Sequence, residues 1–188
     1  MIYYVMSLND LLYYLDDFVR LKVPYRWWKK DMPFYEDDMF YTLDGKPPTA
    51  QEIIDQDKSV VCSGLINLAR RYMGLPIPNI DDIKGTTWTW FRYLTKKEPI
   101  NTQRKYPIGT LLLRDYSNVT DQGHVAIIIS ESDTINNQKI VHAIPFYSID
   151  TELRDVGSVI YTRFVDSHYY EDGSEFYTHI CLPEYWLK

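Results

Sequence analysis

The stretch Val60-Val61-Cys62-Ser63-Gly64-Leu65-Ile66-Asn67-Leu68-Ala69-Arg70-Arg71-Tyr72-Met73-Gly74-Leu75-Pro76 changes character at its third residue. From Cys62 onward Leu65, Ile66, Leu68, Ala69 and Tyr72 recur at helical spacing, with Asn67, Arg70 and Arg71 on the opposite face. Gly74 stands where a left-handed cap would close the helix, and Pro76 and Pro78 prevent its continuation. The spacing therefore predicts a helix that opens on a thiol. A sulfur there faces the positive end of the helix dipole and several unpaired N–H groups, which favour thiolate. Such surroundings lower a cysteine pKa from about 8.5 to roughly 3.5–7.5. The same N–H groups are candidate donors to an oxyanion. Most free cysteines are instead small buried hydrophobes, and Cys62 alone does not decide between the two.

Upstream, Ser7 and Asp10 form a capping pair before Leu8, Leu11, Leu12, Leu15, Phe18 and Val19, an amphipathic helix that Val23-Pro24 ends. Tyr25 to Trp28 reads as a short extended or turn segment. Residues 29–58 form a long acidic loop, with one short helix expected over 49–55. A further short helix is expected around 87–94. Downstream the period changes to strands over 109–114, 124–130, 139–144, 159–165 and 178–182, separated by polar turns. Helices first and antiparallel strands after make an α+β fold.

Composition narrows the function. Of the 188 residues, 45% are hydrophobic and 24% charged, the profile of a globular chain. A net charge of −6 argues against a nucleic-acid partner, which needs clustered Lys and Arg. Lys29–Lys30, Arg70–Arg71 and Lys96–Lys97 are isolated basic pairs, expected on the solvated surface. The 17 Tyr and 5 Trp suit half-wet clefts as well as a core. Two cysteines, Cys62 and Cys181, form no disulfide framework, though one bridge is possible. The N-terminus lacks a basic region before its apolar residues, and no apolar run reaches membrane-span length. Synthesis in a cytoplasm is expected, with any export by another route.

Two histidines could serve Cys62. His124 opens the most apolar strand, just after Gly123, where an imidazole can reach from a core rim as general base and acid. His142 lies on the next apolar strand; if the strands pair, it can hold His124 in its useful tautomer. Singly, one is as well read as a surface histidine and the other as a satisfied core histidine. His168 and His179 lie among tyrosines without metal-ligand spacing, so no metal and no cofactor are expected.

Taken together these segments resemble the NlpC-like family of papain-like cysteine peptidases, which cleave bacterial cell-wall peptides. The motifs are Pro24-Tyr25-Arg26-Trp27, Cys62-Ser63-Gly64-Leu65, Gly74-Leu75-Pro76, Pro107-Ile108-Gly109-Thr110-Leu111, Gly123-His124-Val125-Ala126-Ile127 and His142-Ala143. They keep the family's order over about residues 7–145. The resemblance implies a papain-like fold with the nucleophile helix packed on an antiparallel sheet. It implies Cys62 as nucleophile, His124 as base and His142 as the orienting third member. Tyr25, Trp27 and Ser63 would contact substrate. The departures fall around the cleft: Val61 where the family has Asp, Trp28-Lys29 where it has Gly-Gly, a longer loop before Cys62, and Ala126 for Gly.

The expected organisation is one hydrolase domain over 1–188, with an insertion at 31–58 and an extension at 146–188 that has no counterpart in the family. The expected activity is peptidoglycan peptide hydrolysis by a Cys-His-His triad, in a protein delivered by a phage, a virion or a secretion system. An acyltransferase, lipase, deamidase or protease on the same scaffold, or an inactive binding protein, are the alternatives. Peptide or peptidoglycan is the expected partner; the oligomeric state is not legible.

Overall fold

Ser7 and Asp10 satisfy each other's backbone at the start of α1 (Leu8–Arg20). The Ser7 hydroxyl accepts from the Asp10 N–H at 3.2 Å, and the Asp10 carboxylate accepts from the Ser7 N–H at 2.8 Å. This is a computed structural model, which describes residues 6–25, 46–115, 123–145, 157–167 and 175–188. Within it the chain divides into two compact units, one of Met1–Ile77 with Ala143–Ile160, the other of Pro78–His142 with Tyr161–Lys188.

In the first unit, α1 buries Leu11, Tyr14, Leu15 and Phe18. It ends through Lys22 in the left-handed region (φ 53°), just before the expected Val23-Pro24 stop. β1 (Pro24–Tyr25) pairs antiparallel with Ser158 and Gly157 of β8 (Gly157–Arg163). α2 (Ala50–Asp55) takes its own capping box from Thr49 and Glu52. α3 (Cys62–Tyr72) closes as Gly74 predicts. The Leu75 N–H reaches the Arg70 carbonyl and the Gly74 N–H the Arg71 carbonyl, with Gly74 at φ 75°. Tyr14 stacks on Tyr72 with centroids 4.2 Å apart, and its hydroxyl donates to the Pro48 carbonyl at 2.7 Å. That buried hydroxyl has its pKa pushed up, chiefly by desolvation.

One expectation about α3 fails. Its polar side is not solvated: Asn67, Arg70 and Arg71 are buried with the apolar face. Arg70 stays buried because its Nε donates to the Pro76 carbonyl at 2.6 Å, within its own C-terminal cap, while its aliphatic stem is apolar. Lys97 is likewise only half-exposed, its ammonium 4.4 Å from the centre of the Phe91 ring. Lys29–Lys30 lie outside the described residues.

The second unit begins with a hairpin, β2 (Asn79–Ile80) and β3 (Ile83–Lys84), followed by α4 (Thr87–Tyr93). Its strands are β4 (Lys97–Pro99), β5 (Leu111–Arg114), β6 (His124–Ile128), β9 (His179–Cys181) and the part of β7 (Lys139–Pro145) up to His142. The order is β7-β6-β5-β9-β4, antiparallel at every pairing. β5 and β6 are buried almost throughout, which explains their unbroken apolar runs. A buried Gln138 uses its whole amide: Nε2 donates to the Tyr106 and Ser130 carbonyls, both at 2.8 Å, and Oε1 accepts from the Tyr106 N–H at 2.9 Å. The last helix, α5 (Pro183–Trp186), is anchored by Trp186, which meets Trp90 edge-on and donates to the Gly109 carbonyl at 2.7 Å. The architecture is α+β, as the order of helical and strand periods predicts.

Candidate functional site

Cys62 is the first residue of α3 and is partly exposed. Its N-cap, Val61, has extended backbone and no side chain that can bond the first-turn N–H groups. An aspartate there would have capped those donors; valine leaves them to other partners. Tyr25 is brought close in backbone terms. It forms a parallel bridge with Val60, and the Val60 N–H donates to the Pro24 carbonyl at 2.9 Å. The Tyr25 side chain is buried, as is Ser63. Neither cysteine is in a disulfide, and Cys181 is wholly buried on β9. Trp27 and His168 lie outside the described residues.

His124 and His142 belong to the second unit, and the sheet brings them together. The register pairs Ile127 with Val141 and Ile128 with Ile140. Carried on, it puts His142 opposite Ala126, two residues from His124 on the same face, a diagonal separation that rings can bridge. His124 Nε2 lies 3.3 Å from His142 Nδ1. Both rings are buried, and burial lowers both pKa values. That of His124 is pushed down to about 3, and that of His142 lies well below its ordinary value, with the neighbouring imidazole adding to the effect. Both are therefore neutral near pH 7.

The surroundings of the pair come largely from the tail that the family resemblance does not reach. Arg114 pairs with His124 across the β5–β6 ladder, and its guanidinium donates to the Glu175 carbonyl. The residues that follow, Phe176 and Tyr177, set their rings 5.2 and 5.4 Å from the His124 ring. The Tyr177 hydroxyl lies 2.9 Å from His142 Nδ1. On the far side of His142, Nε2 lies 3.2 Å from Thr162 Oγ1, which is 2.9 Å from Ser167 Oγ. Sequence reasoning missed Thr162, Ser167, Phe176 and Tyr177, which carry no motif and lie far along the chain from either histidine.

His179 is placed elsewhere in the second unit, edge-on to Phe91 and bonded to the Thr178 hydroxyl at 2.8 Å. Partial burial, then Lys97, lowers its pKa. Among the described residues no group of three His, Cys, Asp or Glu could hold a metal, and no helix is long and apolar enough to cross a membrane.

No protein-family model matches the chain, and no curated protein matches it. The chain is similar to an endolysin of known structure. The crystal structure of the wild-type endolysin LysIME-EF1 aligns with 95% of this chain at 14% identity and a TM-score of 0.47. The chain spans 65% of the length of that endolysin chain.

Proposed function

We propose that the protein is a cysteine hydrolase of amide bonds, acting on peptidoglycan peptides, with Cys62 as nucleophile, His124 as base and His142 as orienting residue. The observation that carries this reading is the contact between His124 Nε2 and His142 Nδ1 at 3.3 Å. It turns two histidines that sequence order alone singles out into an oriented pair. Because Nε2 faces His142, Nδ1 is the nitrogen left to take a proton from a thiol or a water. The position of Cys62 at the uncapped start of an eleven-residue helix supplies the second half of the argument.

In this reaction His124 Nδ1 takes the thiol proton and the thiolate attacks the amide carbon. A C–S bond forms while the carbonyl π pair moves to oxygen, where N–H groups at the start of α3 stabilise it. Collapse of the adduct breaks the C–N bond, and His124 returns its proton to the leaving amine. A water then gives a proton to His124 and attacks the thioester, releasing the acid and the thiol. Burial keeps His124 neutral at rest, so the ring is unprotonated at pH 7.

The test is labelling of the intact chain with iodoacetamide across pH, together with chromatographic assays on muropeptides and on acyl lipids. Labelling is expected at Cys62 with an apparent pKa below about 8.5, and to change in the His124→Ala variant. Cys62→Ala should lose muropeptide cleavage by on the order of a thousandfold or more, and Cys181→Ala should retain it. Labelling confined to Cys181, or unaffected by loss of His124, would overturn the assignment. Turnover of acyl lipids alone would transfer the chemistry to an acyltransferase or lipase.

A further inference from the structure

The hydroxyls behind His142 have no part in the steps above, yet their hydrogen bonds have a direction. Ser167 Oγ donates to the Arg163 carbonyl at 3.4 Å, an oxygen that can only accept. With its one hydrogen used there, Ser167 Oγ accepts from Thr162 Oγ1 at 2.9 Å. Thr162 in turn has given up its hydrogen and presents a lone pair to His142 Nε2 at 3.2 Å. That nitrogen must then carry the ring proton. A neutral imidazole has one N–H, so His142 Nδ1 is an acceptor. It faces two donors, the Tyr177 hydroxyl at 2.9 Å and His124 Nε2 at 3.3 Å. His124 is thereby held in its own Nε2–H form, with the lone pair on Nδ1.

We propose that Thr162 and Ser167 are positioning residues that set the tautomer of both imidazoles, with Tyr177 holding the acceptor side of His142. If the direction ran the other way, the Thr162 hydroxyl would donate to His142 Nε2. His142 would then carry its proton on Nδ1 and donate it to His124 Nε2. His124 would be left with a proton on Nδ1, where a base needs a lone pair. The inference rests on the hydrolase reading for its catalytic meaning, but the tautomers themselves are readable without substrate.

The test is two-bond ¹⁵N–¹H correlation NMR on the intact chain labelled with ¹⁵N-histidine, at neutral pH. The wild-type protein is expected to carry the ring proton on Nε2 of both His124 and His142. Thr162→Val keeps the shape of the side chain and removes the acceptor, so both rings are expected to shift to the Nδ1–H form. Thr162→Ser should restore the wild-type pattern. Ser167→Ala frees the Thr162 hydrogen to turn toward Nε2 and should shift the populations the same way as Thr162→Val. In turnover, Thr162→Val should lower kcat about tenfold with KM unchanged, the size of one hydrogen bond. A wild-type spectrum with His142 protonated on Nδ1 would overturn the proposal. So would folded Thr162→Val and Ser167→Ala proteins with both tautomers unchanged. Tautomers that follow these expectations in a protein whose turnover survives Cys62→Ala would support the proposal while removing the hydrolase reading.

Discussion

Two imidazoles buried side by side must both stay neutral, and this links the stability of the protein to pH. Each has a folded-state pKa below the ordinary 6.5, His124 near 3 and His142 well below 6.5. Between those values and 6.5 the unfolded chain binds more protons than the folded one. The stabilisation is therefore complete above pH 6.5 and is lost as pH falls toward 3. From about pH 7 to about pH 5 the loss is on the order of 2 kcal/mol for His124, and His142 adds to it in the same direction. Asp10 and Glu52, whose own caps lower them below ordinary values of 3.8 and 4.5, act at lower pH and leave this window to histidine. Urea unfolding at the two pH values should show the drop, and His142→Gln should shrink it. A wild-type midpoint that does not move would mean that the pair is hydrated or charged in the folded state. At this scale the sequence was informative about His124 and His142, because each sits on an apolar strand. It was silent about Thr162, Ser167 and Tyr177, since a hydroxyl that orients an imidazole has no spacing requirement along the chain.

Elements were legible where their ends carry chemistry. Ser7 with Asp10, and Gly74, act at the termini where sequence puts them, while the short helix expected over 49–55 starts on a Thr49–Glu52 capping box that its span alone does not name. Gly74 permits a direct check. A Cβ added there would meet nothing within 4 Å, so Gly74→Ala pays only for an L-residue at φ 75°. The expected loss is about 1 kcal/mol, read from the urea midpoint, and Gly74→Asn should lose less because Asn enters the left-handed region more readily. Equal stability of Gly74→Ala and wild type would mean that the cap rearranges. The hairpin of β2 and β3 was not foreseen, although its turn has a cause. Asp81 and Asp82 take φ 50° and 64°, the two left-handed positions of a two-residue loop. Asp-Asp is a weaker signal than Asn-Gly, and strands of two residues have no alternation to read. Arg70 misled for a different reason: periodicity reports which face is apolar, not whether a long side chain finds a carbonyl inside its own helix cap.

At the scale of the molecule, neither unit is continuous in sequence, and the discontinuity is unequal. All of Pro78–His142 and Tyr161–Lys188 lies within 78–188, with the intervening residues as a connection. The other unit needs Ala143–Ile160 from beyond the second unit's first segment. Without it, β1 loses the pairing of Pro24 with Ser158 and the bond from the Val159 N–H to the Val23 carbonyl at 3.0 Å. The second unit also buries large apolar side chains of its own, Trp90, Leu112, Ile127, Phe164 and Trp186, and it keeps both histidines and their hydroxyl partners. A fragment of residues 78–188 is therefore expected to give dispersed amide NMR signals and the same histidine tautomers as the intact chain, whereas 1–77 should remain unfolded. Adding a peptide of residues 143–160 to 1–77 supplies the missing strand and should raise its dispersion. A folded 1–77 without that peptide would show that β8 is dispensable to the first unit. An unfolded 78–188 would show that the histidine pair depends on residues outside its own unit.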